Sequence, residues 1–279
     1  MSQDRLTALA EGAEAEFMYQ YESSAPPSAR STLGIATTRI GGGVALSMRH
    51  DVTGYWSKAL GFGVEEPVTR DLIDRVVDFY RAEDSEGAVI QIAPSALPPD
   101  WDDIRAGHGI VPGSAWVKLT CPIDDFRPGR TALRVGPVGP GEAEEWASVV
   151  LRGFGMPEEG LGEMMAASAG HPAFRPFAAW DGDDMVAGAN LFVHGEIGSL
   201  NAASTLPGHR NRGAQSALLA ARAEEAAKAG CRRLVAEAGL PAEGSANPSL
   251  NNMLAAGLRP LYDRQNWIWR PDTGPTGGS

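Results

Sequence analysis

The residues with the most chemical potential lie in one short stretch, Leu206-Pro-Gly-His-Arg-Asn-Arg-Gly-Ala-Gln215. A strand-like run precedes it and an Ala-rich helical run follows. A helix start leaves about four backbone N–H groups without intrahelical acceptors, and the helix dipole favours an anion there. Gly213 lets the backbone approach a ligand closely and take a positive φ. Arg210 and Arg212 add positive charge in a chain with excess acid. Together these features describe a pyrophosphate cradle; the bland alternative is a solvent-facing loop with incidental arginines. Other glycine clusters carry less. Gly41-Gly-Gly43 joins two strands and suits a hairpin turn, with no helix directly after it. Gly61-Phe-Gly63 and Gly153-Phe-Gly155 lack the third glycine and the preceding strand of the dinucleotide fingerprint, which argues against a nicotinamide-linked redox enzyme. Cys121 and Cys231 stand in unrelated contexts without ligand spacing, so neither zinc nor any other metal is expected.

The elements that must position this loop follow from the pattern. The first 30 residues hold a polar helical stretch and a loop at Ser23 to Ser28. Strands are expected over 31–39 and 44–49. A helix is expected from Thr69 through Tyr80, where Leu72, Val76, Val77 and Tyr80 recur at helical spacing. A strand at 88–93, a short helix at 101–106 and a Trp-containing strand at 115–119 complete this half, and 122–130 reads as a linker. The second half gives a strand at 131–138 and helices at 140–152 and 160–169. Strands at 174–180, 185–193 and 197–205 follow, then a helix at 215–229 and a strand at 232–238. A helix opened by the cap Asn247 and by Pro248 runs to Gly257, and a strand fills 261–269. The halves end alike: Gly109-Ile-Val-Pro112 matches Gly257-Leu-Arg-Pro260 at an offset of 148 positions, inside the same order of helix, strand, short helix and strand. Duplication explains this better than coincidence.

The loop and its setting resemble the GNAT acetyltransferase superfamily. His209-Arg-Asn-Arg-Gly-Ala-Gln-Ser-Ala-Leu-Leu219 is similar to that family's acyl-CoA loop, whose pattern is Gln/Arg-x-x-Gly-x-Gly/Ala. Gln215 departs at the last position, which matters little if only its amide is used. The likeness extends over residues 131 to 270 in element order. It implies an α/β (α+β) fold of two GNAT-like mixed-sheet halves, each a mostly antiparallel central sheet flanked by helices. Residues 1–126 would be a degenerate half without a cofactor site, 127–271 the acetyltransferase domain, and 272–279 a disordered tail. The position matching Gly213 falls near Glu65, within Gly63-Val-Glu-Glu-Pro-Val-Thr69, where two carboxylates oppose phosphate and Pro67 lacks an N–H.

The resemblance also assigns roles. Acetyl-CoA is the implied cosubstrate, with its pyrophosphate on the backbone of Arg210, Asn211, Arg212, Gly213, Ala214 and Gln215. Its pantetheine arm would run along Ser204, Thr205 and Leu206, and Ser249 and Asn252 in the following helix are further contacts. The implied reaction is direct attack of an amine on the thioester. Glu196 is the first candidate for the base, with His194 and Glu237 behind it, although each also suits a turn or surface place. Tyr262 is the candidate acid, but it follows Gly257 and so belongs to the last strand, where packing is its alternative. The family more often places its tyrosine in the preceding helix. A non-catalytic acyl-CoA-binding sensor or scaffold is the second reading.

Composition sets outer limits. With 279 residues, 43% hydrophobic and 21% charged, the chain is of ordinary globular make-up. Disordered, collagenous and disulfide-scaffold classes are excluded. A net charge of -11 argues against nucleic acid and anionic membrane as partners and suits a small cationic amine acceptor. Only Lys58, Lys118 and Lys228 are lysines. No apolar h-region appears in the first residues and no stretch approaches ~18 apolar residues, so a cytoplasmic monomer or homodimer is expected.

Overall fold

The computed structural model describes residues 2–129 and 131–271; the expected tail at 272–279 lies outside them. The first half runs α1 (Gln3–Ser23), α2 (Pro27–Leu33), β1 (Ile35–Ile40), β2 (Gly43–Met48), β3 (Lys58–Leu60), α3 (Arg70–Ala82), β4 (Ala88–Gln91), α4 (Trp101–Gly107) and β5 (Val111–Pro122). The second runs β6 (Arg134–Pro137), α5 (Ala143–Phe154), α6 (Leu161–Ser168), β7 (Phe174–Asp181), β8 (Asp184–His194), β9 (Ile197–Thr205), α7 (Ala214–Lys228), β10 (Arg233–Gly239), α8 (Pro248–Ala255) and β11 (Arg259–Trp269). The expected elements are present, with small shifts at their ends. Two were not foreseen. Residues 31–33 belong to α2, because Pro26 and Pro27 start a helix that Gly34 ends at φ 66°. The three-residue β3 is too short to show a period.

Local chemistry fixes the helix ends. Thr69 caps α3 by accepting the Leu72 N–H at 3.2 Å. The Asn247 side chain accepts from the Ser249 and Leu250 amides at 3.0 and 3.2 Å, with Pro248 in the first turn of α8. Gly155 closes α5 in the left-handed region.

All strands belong to one mixed sheet, ordered β1-β2-β3-β4-β11-β5-β10-β9-β8-β7-β6. Pairings are antiparallel except β3 with β4 and β9 with β10. The centre of this order departs from chain order. β11, the last strand of the second half, lies between β4 and β5, while β5, the last strand of the first half, lies between β11 and β10. Each half therefore receives a strand from the other. The first residues of β5 and β11, Val111 and Arg259, keep the 148-position offset seen in the sequence.

The main apolar cluster joins the halves. Phe17, Met18 and Tyr21 of α1 pack with Trp146 and Val150 of α5, Met164 of α6, and Phe174 and Phe192 of β7 and β8. Separate clusters lie under α3 and α4, and under α7 and α8. α1 belongs to the first half by sequence but also touches β8 and β9.

Candidate functional site: a glycine loop and a charged cavity

β9 and β10 run parallel and pair only from Ile197 with Arg233 to Leu200 with Ala236. Beyond that point they part. β9 is bent there by a bulge, with Ala202 at φ 49° and the register to β8 shifted between the Gly188 and Asn190 pairs. Arg222 of α7, 1% exposed, holds the bend. It donates from Nη1 to the carbonyls of Asn190 (2.9 Å) and Asn201 (3.2 Å), and from Nε to that of Leu218. Burial without a carboxylate partner lowers its pKa to about 9.

The strand end leads into the glycine loop and then α7. Leu206 N–H still donates to Val186, continuing the ladder. Asn211 and Gly213 take positive φ, 63° and 79°. Among the described residues, no amide from Asn211 through Ser216 donates to a protein acceptor. A run of free N–H groups at a helix start forms an anion site. The arginine side chains do a different job from the one their charge suggested. Arg210 donates to the carbonyls of Thr205 and Gly153 at 3.3 and 3.2 Å, tying the loop to β9 and α5. Arg212 grips Asp181 with both terminal nitrogens, one at 2.9 Å, and its carbonyl accepts from the Thr131 hydroxyl at 2.7 Å. The loop is thus braced by its side chains while its backbone stays available.

A cavity of about 470 Å³ occupies the fork between β9 and β10. Gln215 and Ser249 line it near the loop, as does Asn247, which also caps α8. The Ser204 hydroxyl instead donates to the Val150 carbonyl at 2.9 Å, where Gly153 leaves α5 room to approach β9. Asn252 is half-buried on α8 outside the lining.

The other wall of the cavity is charged. Strand alternation puts Lys118 of β5, opposite both Glu237 of β10 and Tyr262 of β11, on the face that α1 covers. Arg264, two residues after Asp263's neighbour Tyr262, shares that face. Glu11 and Glu14, three apart on α1, meet it. Arg264, 1% exposed, reaches Glu11 at 2.8 Å, Glu14 at 2.7 Å and Glu237 at 2.7 Å. Lys118 pairs with Glu14 and, at 3.1 Å, with Glu237. Glu14, Lys118 and Glu237 line the cavity. Burial pushes the Glu237 carboxyl up, with the Glu14 charge adding to it, and the two cations do not fully offset this. Burial acts on Glu14 in the same sense, but Arg264 and Lys118 outweigh it and hold that carboxyl well below its usual range.

The two candidate catalytic residues from the sequence stand elsewhere. Glu196 lies in the β8–β9 turn, between Arg5 and Arg232 at 3.8 and 3.9 Å. At ~3.3 Å per residue it is roughly 30 Å along β9 from the loop, and it does not line the cavity. Tyr262 donates to Glu11 at 2.5 Å, and burial followed by the Glu11 charge raises its pKa. It too is absent from the lining. Glu11, Glu14 and Arg264 had no motif to mark them. Lys118 had one faint signal, as a rare lysine inside an otherwise apolar strand.

The equivalent places in the first half are built differently. Asn266, 148 positions after Lys118, faces Gln91 across β11 and β4, and the Gln91 amide donates to it at 2.6 Å. A neutral amide pair thus stands between β11 and β4 where Lys118 and Glu237 stand between β5 and β10. The loop before α3 carries exposed Glu65, Glu66 and Pro67, and the Thr69 side chain already occupies the Leu72 N–H.

Residues 144–247 match the acetyltransferase (GNAT) family. No curated protein matches the sequence. Among solved structures, the chain is similar to a GCN5-related N-acetyltransferase from Kribbella flavida, at 17% identity and a TM-score of 0.60, covering 93% of this chain and 94% of that one. It is also similar to a tandem GNAT protein from the clavulanic acid biosynthesis pathway, at 14% identity and a TM-score of 0.56, covering 94% and 95%. A GCN5-related N-acetyltransferase from Sphaerobacter thermophilus is similar at 13% identity and a TM-score of 0.54, covering 77% and 72%. These likenesses concern the fold, and the family match concerns the half that holds the loop. The likenesses to solved structures place the chain, whose strands form a single sheet, on the GNAT fold, and its segment 144–247 matches the acetyltransferase (GNAT) family.

Proposed function

We propose that this protein is an acetyl-CoA-dependent N-acetyltransferase acting on a small primary amine by direct attack. In this reading the second half alone holds the cosubstrate and the first half walls the acceptor site. Family membership supports acetyl transfer from an acyl-CoA in general. The observation that carries the finer reading is continuity. One cavity is lined by Gln215 and Ser249 at the loop and by Glu237, Glu14 and Lys118 at its charged wall.

The residues fit an acyl-CoA. The free amides from Asn211 to Ser216 suit a pyrophosphate, and the parted edge of β9 suits an extended amide-bearing arm. Acetyl-CoA supplies an acetyl group activated as a thioester. Glu237 takes the proton from the acceptor's ammonium; its raised carboxyl is better matched to that task than an ordinary one. Lys118 and Arg264 fix its orientation at 3.1 and 2.7 Å. The α1 helix covers the charged wall through Glu11 and Glu14, and the cavity holds both reactants together.

Calorimetric titration with acetyl-CoA tests this, alongside thiol release over a panel of primary amines. One site per chain with turnover is expected. Gly213→Glu, which sets a carboxylate in the cradle, should abolish binding while keeping a folded circular-dichroism spectrum. Two sites per chain would overturn the assignment of the first half. Binding without thiol release would favour the sensor reading, and no binding would refute the proposal.

A further inference from the structure

We infer that the acceptor is a monoamine carried on an aromatic or comparably bulky apolar body, and that the first half of the chain selects it. This rests on the acetyltransferase reading above and deepens it. The cavity has two chemically distinct parts. One holds Glu237, Glu14 and Lys118. The other is walled by aromatic and thioether side chains, chiefly Phe17, Met18 and Tyr21 of α1, Tyr55 and Trp56 of the β2–β3 loop, and Trp116 of β5. All six belong to the first half, and Phe154, Met156, Met165 and Met253 of the second half complete the apolar lining.

The sheet register joins the two parts. Trp116 lies two residues before Lys118 on the same face and opposite Gly239, the last residue of β10, which offers no side chain to cover the indole. An amine delivered to Glu237 therefore carries its body toward the rings. Such surfaces favour apolar groups by the area they remove from water, and stacking geometry adds to this. A polyhydroxylated body would lose its water there without gaining partners.

Charge narrows the class further. Lys58 is 3% exposed, and its ammonium lies 3.6 Å from the centre of the Tyr55 ring and 5.6 Å from that of Trp116. Among the described residues it has no ion-pair partner. Lys58 is thus lodged behind the aromatic wall, where burial lowers its pKa and the Glu237 and Glu14 charges act against that. A second ammonium on the acceptor would meet it at short range in a poorly screened setting. A diamine would set its second ammonium against apolar rings and Lys58, whereas a single amine meets the carboxylates Glu237 and Glu14. Arg222 also lines the cavity, but its Nε and Nη1 are committed to carbonyls.

The test compares kcat/KM for phenethylamine and tryptamine with that for ethanolamine and putrescine, using acetyl-CoA and then octanoyl-CoA as donors. The arylalkyl monoamines should exceed each of the others by about 10–100-fold, the range that one buried apolar group supplies. Trp116→Ala should lower the phenethylamine-to-ethanolamine ratio at least tenfold. Tyr55→Ser, in a loop rather than a strand, serves the same end if the first variant does not fold. This ratio is a readout that general destabilisation does not move. Equal or faster turnover of ethanolamine or putrescine would overturn the inference and leave the acetyltransferase reading standing. So would a preference for octanoyl-CoA with indifference to the amine, since the aromatic part would then house an acyl chain. Acetyl-CoA binding without thiol release from any amine would overturn both.

Discussion

Glu237→Gln is the substitution that bears most directly on the mechanism. The side chain keeps its shape, and its remaining oxygen still accepts from Arg264 and Lys118, whose nitrogens lie 2.7 and 3.1 Å from the carboxylate. What it loses is the capacity to take a proton. General-base contributions of about 10²–10⁴-fold correspond to roughly 3–5 kcal/mol in the barrier. The fold should barely respond. Glu11 and Glu14 continue to neutralise Arg264, and removal of the Glu237 charge relieves its repulsion with Glu14. A net change of ~1 kcal/mol would move Tm by about 2–4 °C. The pH profile supplies the sharper reading. Because burial raises the Glu237 carboxyl, wild-type kcat/KM should fall as pH drops through a value above the ordinary carboxylate range. The variant should lose that acid limb and keep only a low residual rate. Thiol release from pH 4.5 to 9, with acetyl-CoA affinity measured in parallel, provides both numbers. A variant retaining kcat/KM within threefold and the same acid limb would refute the assignment of Glu237.

Three further outcomes follow from the same geometry. Arg264→Met leaves three buried carboxylates without their shared partner, and at about 3–5 kcal/mol for a broken buried network Tm should fall by roughly 6–20 °C in a thermal melt. Glu14 is held below its unfolded value, so the stability it contributes is present above about pH 4.3 and lost as pH falls through the lower folded value. Glu14→Gln should therefore reduce Tm near neutrality and flatten its decline in acid, as read by melts from pH 3 to 7. Asp181→Asn removes the exposed tether of Arg212, so acetyl-CoA Kd should rise a few-fold by calorimetry while Tm stays within about 2 °C, since exposed pairs contribute little to stability.

Local chemistry made the loop legible in advance. Gly213 before an Ala-rich helix, Asn247 with Pro248, and the paired Gly109 and Gly257 each act within a few residues of themselves, and all appear where the pattern placed them. The charged wall obeys a different logic. Glu11 and Glu14 sit in a helix whose sequence looks polar all round, and they become active-site candidates only because α1 lies against strands from both halves. Nothing within α1 encodes that neighbour. Arg210 and Arg212 show the opposite limit. Their charge was visible, but their commitment to Gly153, Thr205 and Asp181 depends on segments 31 or more positions away in two of the three cases. Glu196 stood out because it is an acid beside a strand, and strand length alone carries it far from the loop.

The exchange of β5 and β11 has a consequence for how the molecule comes apart. β5 pairs only with β10 and β11 of the second half, and β11 only with β4 and β5 of the first. Neither half can open its centre without unzipping a strand that the other half also needs. Melting should therefore be a single all-or-none event despite the division into two halves, with no partly folded species in which one half survives. A backbone cut in the connection after β5 would leave two pieces clasped together, whereas either piece made alone would expose an unpaired strand edge and be prone to associate. The first half is then indispensable as a folding partner, and damage to its core lowers the population of working sites in the second.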